Sequence, residues 1–169
     1  MTLDDININE KIKKRLTEAA ESGNVFHAYI FEGSACIDKD AIALCFIKAI
    51  LCEQRRGRGC DTCLTCVKLA HGNYEDLIRL AADGRSIKDE AVEAMQERLR
   101  NKPLGARNVV LIADADTMTL RAQNRLLKTL EEPTPGTVMI LLSENAENLV
   151  DTIRSRCILY RFSGEGPES

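Results

Sequence analysis

The segment HAYIFEGSACIDKD, residues 27–40, decides the fold of this 169-residue chain. A short apolar run from Val25 to Phe31 ends at Gly33, and an apolar helix is predicted over residues 39–51. A strand, a glycine turn and a helix in this order are typical of a phosphate-binding loop, in which Gly-x-x-x-x-Gly-Lys-[Ser/Thr] joins the strand to the helix. The alternative is a strand-turn-helix unit with a chance glycine and lysine.

Strands and helices continue to alternate along the rest of the chain. Residues 109–112 and 138–142 are apolar at every position, which is typical of strands buried on both faces of a sheet. Residues 86–89, Ser-Ile-Lys-Asp, resemble a capping box at the start of a helix. Alternation of this kind predicts an α/β domain with a three-layer, five-stranded parallel sheet. The expected strands are 25–31, 77–81, 109–112, 138–142 and 158–162, and the expected helices are 5–21, 39–51, 87–99, 119–132 and 146–153.

The phosphate loop departs from the working pattern at two of its four required positions. Gly33 and Lys39 are in register, whereas Asp38 takes the place of the second glycine and Asp40 that of the Mg²⁺-binding hydroxyl. Two carboxylates would therefore face a bound triphosphate, and each repulsion costs roughly several kcal/mol in a partly buried site. The sequence thus predicts the topology of a nucleotide-binding fold in which ATP is not expected to bind.

The strand at 109–112 shows a matching loss at its end. An active ATPase places Asp-Glu after this strand, where the Asp binds Mg²⁺ and the Glu polarises water. Here Ala113 replaces the metal-binding Asp, and Asp114 replaces the Glu. Asp114 and Asp116 do not form a convincing acid–base pair, so a solvated loop or a helix cap is the simpler interpretation of both.

Four of the seven cysteines are clustered: Cys52, Cys60, Cys63 and Cys66. Gaps of two residues let successive sulfurs reach one tetrahedral Zn²⁺, with Zn–S distances of about 2.3 Å. Four protein ligands leave no open position for a substrate, so the pattern predicts a structural zinc site. Reactive cysteines without metal are the alternative. Cys36 and Cys45, which lie outside the cluster, are expected to be buried as small apolar residues.

The composition excludes several classes of function. Lys and Arg total 23 and Asp and Glu total 26, so the net charge of −3 argues against a globally basic nucleic-acid coat protein. No apolar run approaches membrane-spanning length, and the acidic N-terminus MTLDD has no apolar signal core. Cysteine-rich chains without a secretion signal indicate reduced thiols or metal ligands. We therefore expect a cytoplasmic protein without membrane contact.

Four segments, taken in order, carry a family resemblance. They are His27–Gly33, the four clustered cysteines, Asn124–Pro133 and Ile153–Cys157. Over residues 8–162 the chain resembles the N-terminal domain of bacterial replicative clamp-loader subunits, which are of the AAA+ class. The runs LLKTLEEP and SRC are specific in combination, although neither would suffice alone. The resemblance implies a P-loop NTPase fold of the RecA-like AAA+ type, with a zinc module inserted at residues 52–66.

Within this family the chain looks like the delta-prime group. The gamma/tau subunits keep an intact phosphate loop and Asp-Glu pair, whereas delta-prime subunits lack a usable nucleotide site but keep the zinc site and the Ser-Arg-Cys triplet. Asp38, Asp40 and Ala113 are the residues that match the second pattern. The resemblance thus implies a component of DNA polymerase III that is not an enzyme by itself.

The resemblance also implies a role for the Ser-Arg-Cys triplet. Arg156 would project from the end of the last helix into the ATP site of an adjacent gamma/tau subunit, as an arginine finger in trans. A guanidinium suits this task because it is planar and permanently charged. Ser155 and Cys157 would support the turn, and Cys157 is expected to be mostly buried. A plain surface arginine is the alternative.

Partners and boundaries follow from the same resemblance. The implied partners are the gamma/tau and delta subunits, with the sliding clamp and primed DNA reached through the complex. We expect one domain over residues 1–162 and a polar tail over 163–169. Because the family's lid and collar domains are not in this sequence, we expect a fragment. Two other functions stay open here: an active gamma/tau-type ATPase, and a zinc-dependent nucleic-acid-binding module.

Overall fold

Five parallel strands form the centre of the fold. The computed structural model describes residues 1–163. Its strands are β1 (Ala28–Glu32), β2 (Leu77–Leu80), β3 (Val109–Ile112), β4 (Val138–Ser143) and β5 (Ile158–Arg161). They lie in the order β2-β3-β4-β1-β5, and every neighbouring pair is parallel. The predicted five-stranded parallel sheet is therefore confirmed.

The helices cover both faces of this sheet. They are α1 (Glu10–Ser22), α2 (Lys39–Leu51), α3 (Leu64–Ala70), α4 (Asp89–Leu99), α5 (Leu120–Glu131) and α6 (Asp151–Arg154), with short 3₁₀ helices at Ala115–Thr117 and Ala146–Asn148. Side chains alternate between the two faces of a strand, so each strand contributes to two cores. Tyr29 and Phe31 pack with α1 and α2, and Ala28 and Ile30 pack with α4 and α5. The result is the expected three-layer α/β/α arrangement.

The first helix begins later than its sequence pattern predicts. Residues before it form a turn, in which the Asp5 amide donates to the Thr2 carbonyl at 3.0 Å. The Asn9 side chain then accepts hydrogen bonds from the amides of Lys11 and Ile12 and so caps α1. The expected start at residue 5 is wrong because this cap fixes the first helical residue at Glu10.

The capping box expected at residues 86–89 is also wrong. The Ser86 carbonyl accepts from the Asp83 amide at 3.2 Å, and the Ile87 amide donates to the Thr117 carbonyl at 3.0 Å. These bonds hold the segment extended, so α4 begins at Asp89. Within the described part of the chain, its N-cap residue Lys88 makes no side-chain capping bond.

The single helix expected over residues 146–153 is divided in two. A 3₁₀ turn at Ala146–Asn148 is followed by α6, and Val150 lies extended between them. The buried Gln123 side chain on α5 accepts from the Val150 amide at 2.8 Å. This long-range bond satisfies the amide outside a helix, which a local sequence pattern does not reveal.

Two expectations concern the limits of the chain. Apart from Ser163, the polar tail expected at 163–169 lies outside the described residues, so this boundary stays a prediction. Across residues 1–163, we find no helix with both the length and the apolar character required to span a bilayer.

Candidate functional site

The carboxyl ends of β1, β3 and β4 meet beside the start of α2 and enclose a cavity of about 420 Å³. This is where parallel α/β sheets place their ligands. The charged side chains that line the cavity are Asp38, Lys39, Asp40, Asp114, Asp116 and Glu144. Five carboxylates and one ammonium give the cavity a net negative charge, which opposes the binding of a polyphosphate.

The phosphate-loop lysine is held by its own loop. Lys39 Nζ donates to the Gly33 carbonyl at 2.9 Å and to the Ser34 carbonyl at 3.0 Å. A phosphate-binding loop instead directs backbone N–H groups towards the anion. Ile37 Cδ1 lies 3.0 Å from the position of a Cβ on Gly33, so this side chain folds closely over the glycine. Two carbonyl oxygens of the loop thus hold the lysine, and Ile37 covers the glycine.

The two aspartates of the loop line the cavity, as the sequence predicts, and each also has a partner. Asp38 accepts a hydrogen bond from the Ala41 amide at 3.0 Å and caps α2. Asp40 forms a 2.6 Å ion pair with Arg79 on the edge strand β2. The sequence analysis missed Arg79, although it is the exposed residue of an otherwise apolar strand. The Asp38 carboxylate therefore satisfies one free amide at the start of α2, and Asp40 is paired with Arg79.

The residues after β3 stabilise loops. Asp114 accepts from the Ala82 amide at 3.0 Å. Asp116 accepts from the amides of Glu144 and Asn145 at 2.9 and 3.1 Å, and so fixes the loop after β4. Ala113 offers no oxygen ligand beyond its backbone. These contacts support the interpretation of both aspartates as loop and cap residues.

The four clustered cysteines converge at the other end of α2. Their Sγ atoms all lie within 4.8 Å of one another, and Cys52 Sγ and Cys63 Sγ are 4.0 Å apart. Four thiolates at about 2.3 Å from one Zn²⁺ are about 3.8 Å apart in a tetrahedron, so the cluster fits this ion. Cys52 is the C-cap residue of α2 and Cys63 is the N-cap residue of α3, so two helices position these ligands.

Backbone amides donate to these sulfurs, as is expected around thiolates. The Arg55 amide donates to Cys52 Sγ at 3.2 Å, and the Cys63 amide donates to Cys60 Sγ at 3.2 Å. Hydrogen bonds from Thr62 and Cys63 lower the pKa of Cys60 to about 6. Burial raises the pKa of Cys66 to about 12. A bound dication would hold all four as thiolates and make the site structural.

The two cysteines outside the cluster differ from each other. Cys45 is buried, as expected, and its burial raises its pKa to about 11. Cys36 is exposed, with its Sγ 3.0 Å from Ser34 Oγ, and it lines the cavity above the phosphate loop. The expectation that Cys36 is buried is wrong, because Ile37 turns inward at this bend instead.

The Ser-Arg-Cys triplet forms the turn between α6 and β5. Arg156 NH1 donates to the Thr152 carbonyl at 3.0 Å and to Ser155 Oγ at 3.3 Å. Arg156 NH2 lies 3.1 Å from Glu131 Oε2 at the end of α5. Cys157 is partly buried against the core, and this burial raises its pKa to about 12. The turn thus fixes a partly exposed guanidinium at its surface.

Arg156 and the phosphate loop lie at opposite ends of the strands, because Arg156 precedes β5 and the loop follows β1. Tyr29 on β1 pairs with Ile158, the first residue of β5, and Arg156 lies in the turn before Ile158. Gly33 lies four residues beyond Tyr29, a rise of about 13 Å at 3.3 Å per residue. Arg156 therefore cannot contact a phosphate bound by its own loop.

Sequence reasoning missed the carboxylate of Glu131. The sequence offers one signal for Glu131, because the helix dipole disfavours an acid in the last turn of a helix. Its partner Arg156 is 25 residues away in the chain, so no local pattern identifies the pair.

Comparison with known proteins identifies the family. The model of the family "DNA polymerase III, delta subunit" matches residues 8–165. The chain belongs to this family. The finding confirms the resemblance expected from the sequence. A related protein, "DNA polymerase III subunit delta'" of Bacillus subtilis, is 34% identical over 96% of this chain and 50% of its own length.

Other relatives are named as tau or gamma subunits. The "DNA polymerase III subunit tau/gamma" of Haemophilus influenzae is 31% identical over 95% of this chain and 24% of its own length. The chain spans about half the length of the delta' relatives that it matches, 50% in Bacillus subtilis and 45% in Escherichia coli.

Solved structures support the fold. A DNA polymerase III gamma subunit-related protein from Thermotoga maritima gives a TM-score of 0.61 at 21% identity, over 94% of this chain and 46% of that one. The RuvB Holliday junction branch migration motor of the same organism gives 0.62 at 15% identity, over 95% and 47%. These likenesses confirm the P-loop ATPase architecture.

Proposed function

We propose that the chain is a non-hydrolysing subunit of the DNA polymerase III clamp loader, the complex that places the sliding clamp on primed DNA during replication. In this role Arg156 enters the ATP site of an adjacent gamma/tau subunit. Membership of the DNA polymerase III delta subunit family and the delta' and tau/gamma relatives support this assignment.

The position of Arg156 carries the proposal. Arg156 precedes β5, and Ile158, the first residue of that strand, lies about 13 Å along the sheet from the level of Gly33, by the pairing of β1 with β5. An arginine that serves phosphoryl transfer from this position must serve the site of another subunit. In that site its charge neutralises the charge that develops on the γ-phosphate.

The cavity beside α2 supports the non-hydrolysing part of the proposal. Lys39 is held by the carbonyls of Gly33 and Ser34, and Asp38 already caps α2. Asp40 and Ala113 stand at the two positions that bind Mg²⁺ in active relatives, so the chain lacks both of the usual protein ligands of the metal. Hydrolysis of ATP by this chain is therefore not expected.

The cysteine cluster has a separate role in this proposal. Cys52, Cys60, Cys63 and Cys66 would hold one Zn²⁺ and fasten the end of α2 to the start of α3. The ion would supply structural cross-linking and no chemistry to a substrate. Elemental analysis of freshly purified protein should find about one zinc per chain.

The remaining parts of the assignment concern partners and extent. The proposed partners are gamma/tau and delta subunits, and the sliding clamp and primed DNA are contacted through the assembled complex. Residues 1–162 would act as one AAA+ domain, with the metal module at 52–66. As part of the replication machinery, the protein would work in the cytoplasm.

The test replaces Arg156 in the reconstituted complex, with the natural full-length polypeptide. Arg156→Ala should abolish nearly all DNA-stimulated ATP turnover at the site that it serves, because a finger is worth about 10³–10⁵ at one site, and the turnover that remains should be that of the other sites. Arg156→Lys should also be impaired, because Lys lacks the planar fork.

The matched control is Arg100→Ala, which removes an exposed arginine paired only with Glu97 one helical turn away. Turnover should stay at the level of the unchanged complex in this control. Unchanged turnover in Arg156→Ala, in a complex that still assembles, would remove the finger role.

A further inference from the structure

We propose that Glu131 is the positioning residue for Arg156, an inference that rests on the proposed function of that arginine. Glu131 Oε2 lies 3.1 Å from Arg156 NH2, and the two residues come from different elements, the end of α5 and the turn after α6. Glu131 does not contact phosphate itself. It acts by setting the direction of the guanidinium.

The place of Glu131 in its helix argues against a role in helix stability. It is the last residue of α5, next to the C-cap Glu132. The carbonyl end of a helix carries partial negative charge, so a carboxylate there destabilises the helix. An acid at this position needs another partner, and Arg156 is the ion-pair partner that the described structure gives it.

Two groups hold the guanidinium from different sides. NH1 is bound by the Thr152 carbonyl and Ser155 Oγ of the α6 turn, and NH2 faces Glu131. A long arginine side chain in water samples many rotamers, and most of them point away from a given phosphate. Contacts to NH1 and NH2 together fix both the position and the plane of the group.

The arrangement still leaves donors for a ligand. An arginine has five N–H donors. Among residues 1–163, the hydrogen bonds of Arg156 use NH1 alone, and the ion pair lies at NH2. Nε–H and one proton on NH2 therefore remain to contact a phosphate while Glu131 stays in place.

Repulsion between Glu131 and a γ-phosphate does not cancel this benefit. The Glu131 side chain is 50% exposed, so water and salt screen its charge over the distance to the phosphate. Its direct contact with Arg156 is shorter and less screened. We therefore expect a modest net gain in turnover from Glu131.

The experiment measures kcat and KM for DNA-stimulated ATP turnover by the reconstituted complex, with the full-length chain. Glu131→Ala should lower kcat by about 1.4- to fivefold, the range for a partly exposed ion pair, with KM nearly unchanged. Glu131→Asp keeps the charge and should restore most of kcat. Glu132→Ala removes the adjacent acid, which has no part in the turn, and should leave kcat unchanged.

Two further measurements separate positioning from a structural role. The melting temperature of Glu131→Ala should equal or exceed that of the unchanged chain, because an unfavourable helix-end charge is removed. The double variant Glu131→Ala, Arg156→Ala should match Arg156→Ala alone, because the effect of Glu131 passes through that arginine.

The outcomes distinguish the two proposals. If Arg156→Ala lowers turnover while Glu131→Ala behaves like Glu132→Ala, the positioning role is wrong and the finger role stands. A fall in both turnover and melting temperature in Glu131→Ala would also overturn positioning. If Arg156→Ala itself leaves turnover unchanged, both proposals fail.

Discussion

The two ends of helix α2 carry different side chains and differ in the ligands that they could bind. The helix begins at the phosphate loop, at Lys39, and ends beside the cysteine cluster, at Leu51. Its first turn faces a cavity lined by five carboxylates. Its last turn leads into four sulfurs that converge within 4.8 Å. One end is lined by carboxylates, and the other holds four sulfurs that could bind a metal ion.

The two ends differ in the donor groups that they offer, although one helix connects them. A helix N-terminus attracts anions through its free N–H groups and its dipole. At α2 the Asp38 carboxylate already occupies this position by accepting from the Ala41 amide. At the other end, the buried Lys48 ion-pairs with Asp61 at 2.7 Å and anchors the loop between the cysteine ligands. Asp38 thus satisfies a free amide at the first end, and the four sulfurs at the second end could bind a cation.

The largest expected effect is at the cysteine end. Removal of zinc by a chelator, or Cys63→Ser, should lower the free energy of unfolding by about 3 kcal/mol or more, because metal binding at a structural site contributes directly to folding. Thermal and denaturant unfolding with and without chelator measure this change.

The control for this prediction is Cys36→Ser at the opposite end of α2. Cys36 is exposed and its change should leave the free energy of unfolding within about 0.5 kcal/mol. Equal stability with and without chelator, in protein shown to contain metal, would contradict a structural site.

A smaller effect should separate the exposed and buried thiols along α2. At pH 8, Cys36 should react with a thiol reagent at least about tenfold faster than Cys45, because only the thiolate attacks and Cys45 is buried. The raised pKa of Cys45, about 11, means that its thiolate fraction grows with pH until about pH 11. Its labelling rate should therefore rise about tenfold per pH unit below that value.

Mass spectrometry of peptides labelled over a pH series measures both rates. Cys157, whose pKa burial raises to about 12, provides a second slow thiol for comparison. Fast labelling of Cys45 at pH 8 would show that the core beside α2 opens readily, against its burial in the structure.

The smallest effect concerns the cap at the start of α2. Asp38→Ala removes the carboxylate that accepts from the Ala41 amide and should cost about 1 kcal/mol of unfolding free energy. Asp38→Asn retains a capping oxygen and should cost less. Chemical denaturation of the three proteins measures these free energies of unfolding. A more stable Asp38→Ala would show that the carboxylate does not stabilise α2 as a cap.

Much of the fold was accessible from the sequence, because its signals are local. The uniformly apolar strands at 109–112 and 138–142 and the spacing of the four cysteines predicted the sheet and the cluster. The features that were missed depend on contacts between distant residues. Gln123 divides the expected last helix, and Glu131 meets Arg156 across 25 residues. Neither contact leaves a periodic pattern in the chain.

The bend at the phosphate loop shows a second limit. Cys36 is exposed and Ile37 packs against the core, and the backbone path after Gly33 sets this orientation. Asp40 was expected to face the cavity, and it does, but its 2.6 Å pair with Arg79 required the neighbouring strand to be placed.

The most direct test of the account is a titration of the chain with ATP and Mg²⁺, followed by calorimetry or by a fluorescent ATP analogue. A tau/gamma subunit provides the positive control under the same conditions. Because carboxylates line the cavity and Lys39 is held by its own loop, we expect no saturable binding up to about 1 mM nucleotide. Saturable binding with a Kd of roughly 10 μM would contradict it.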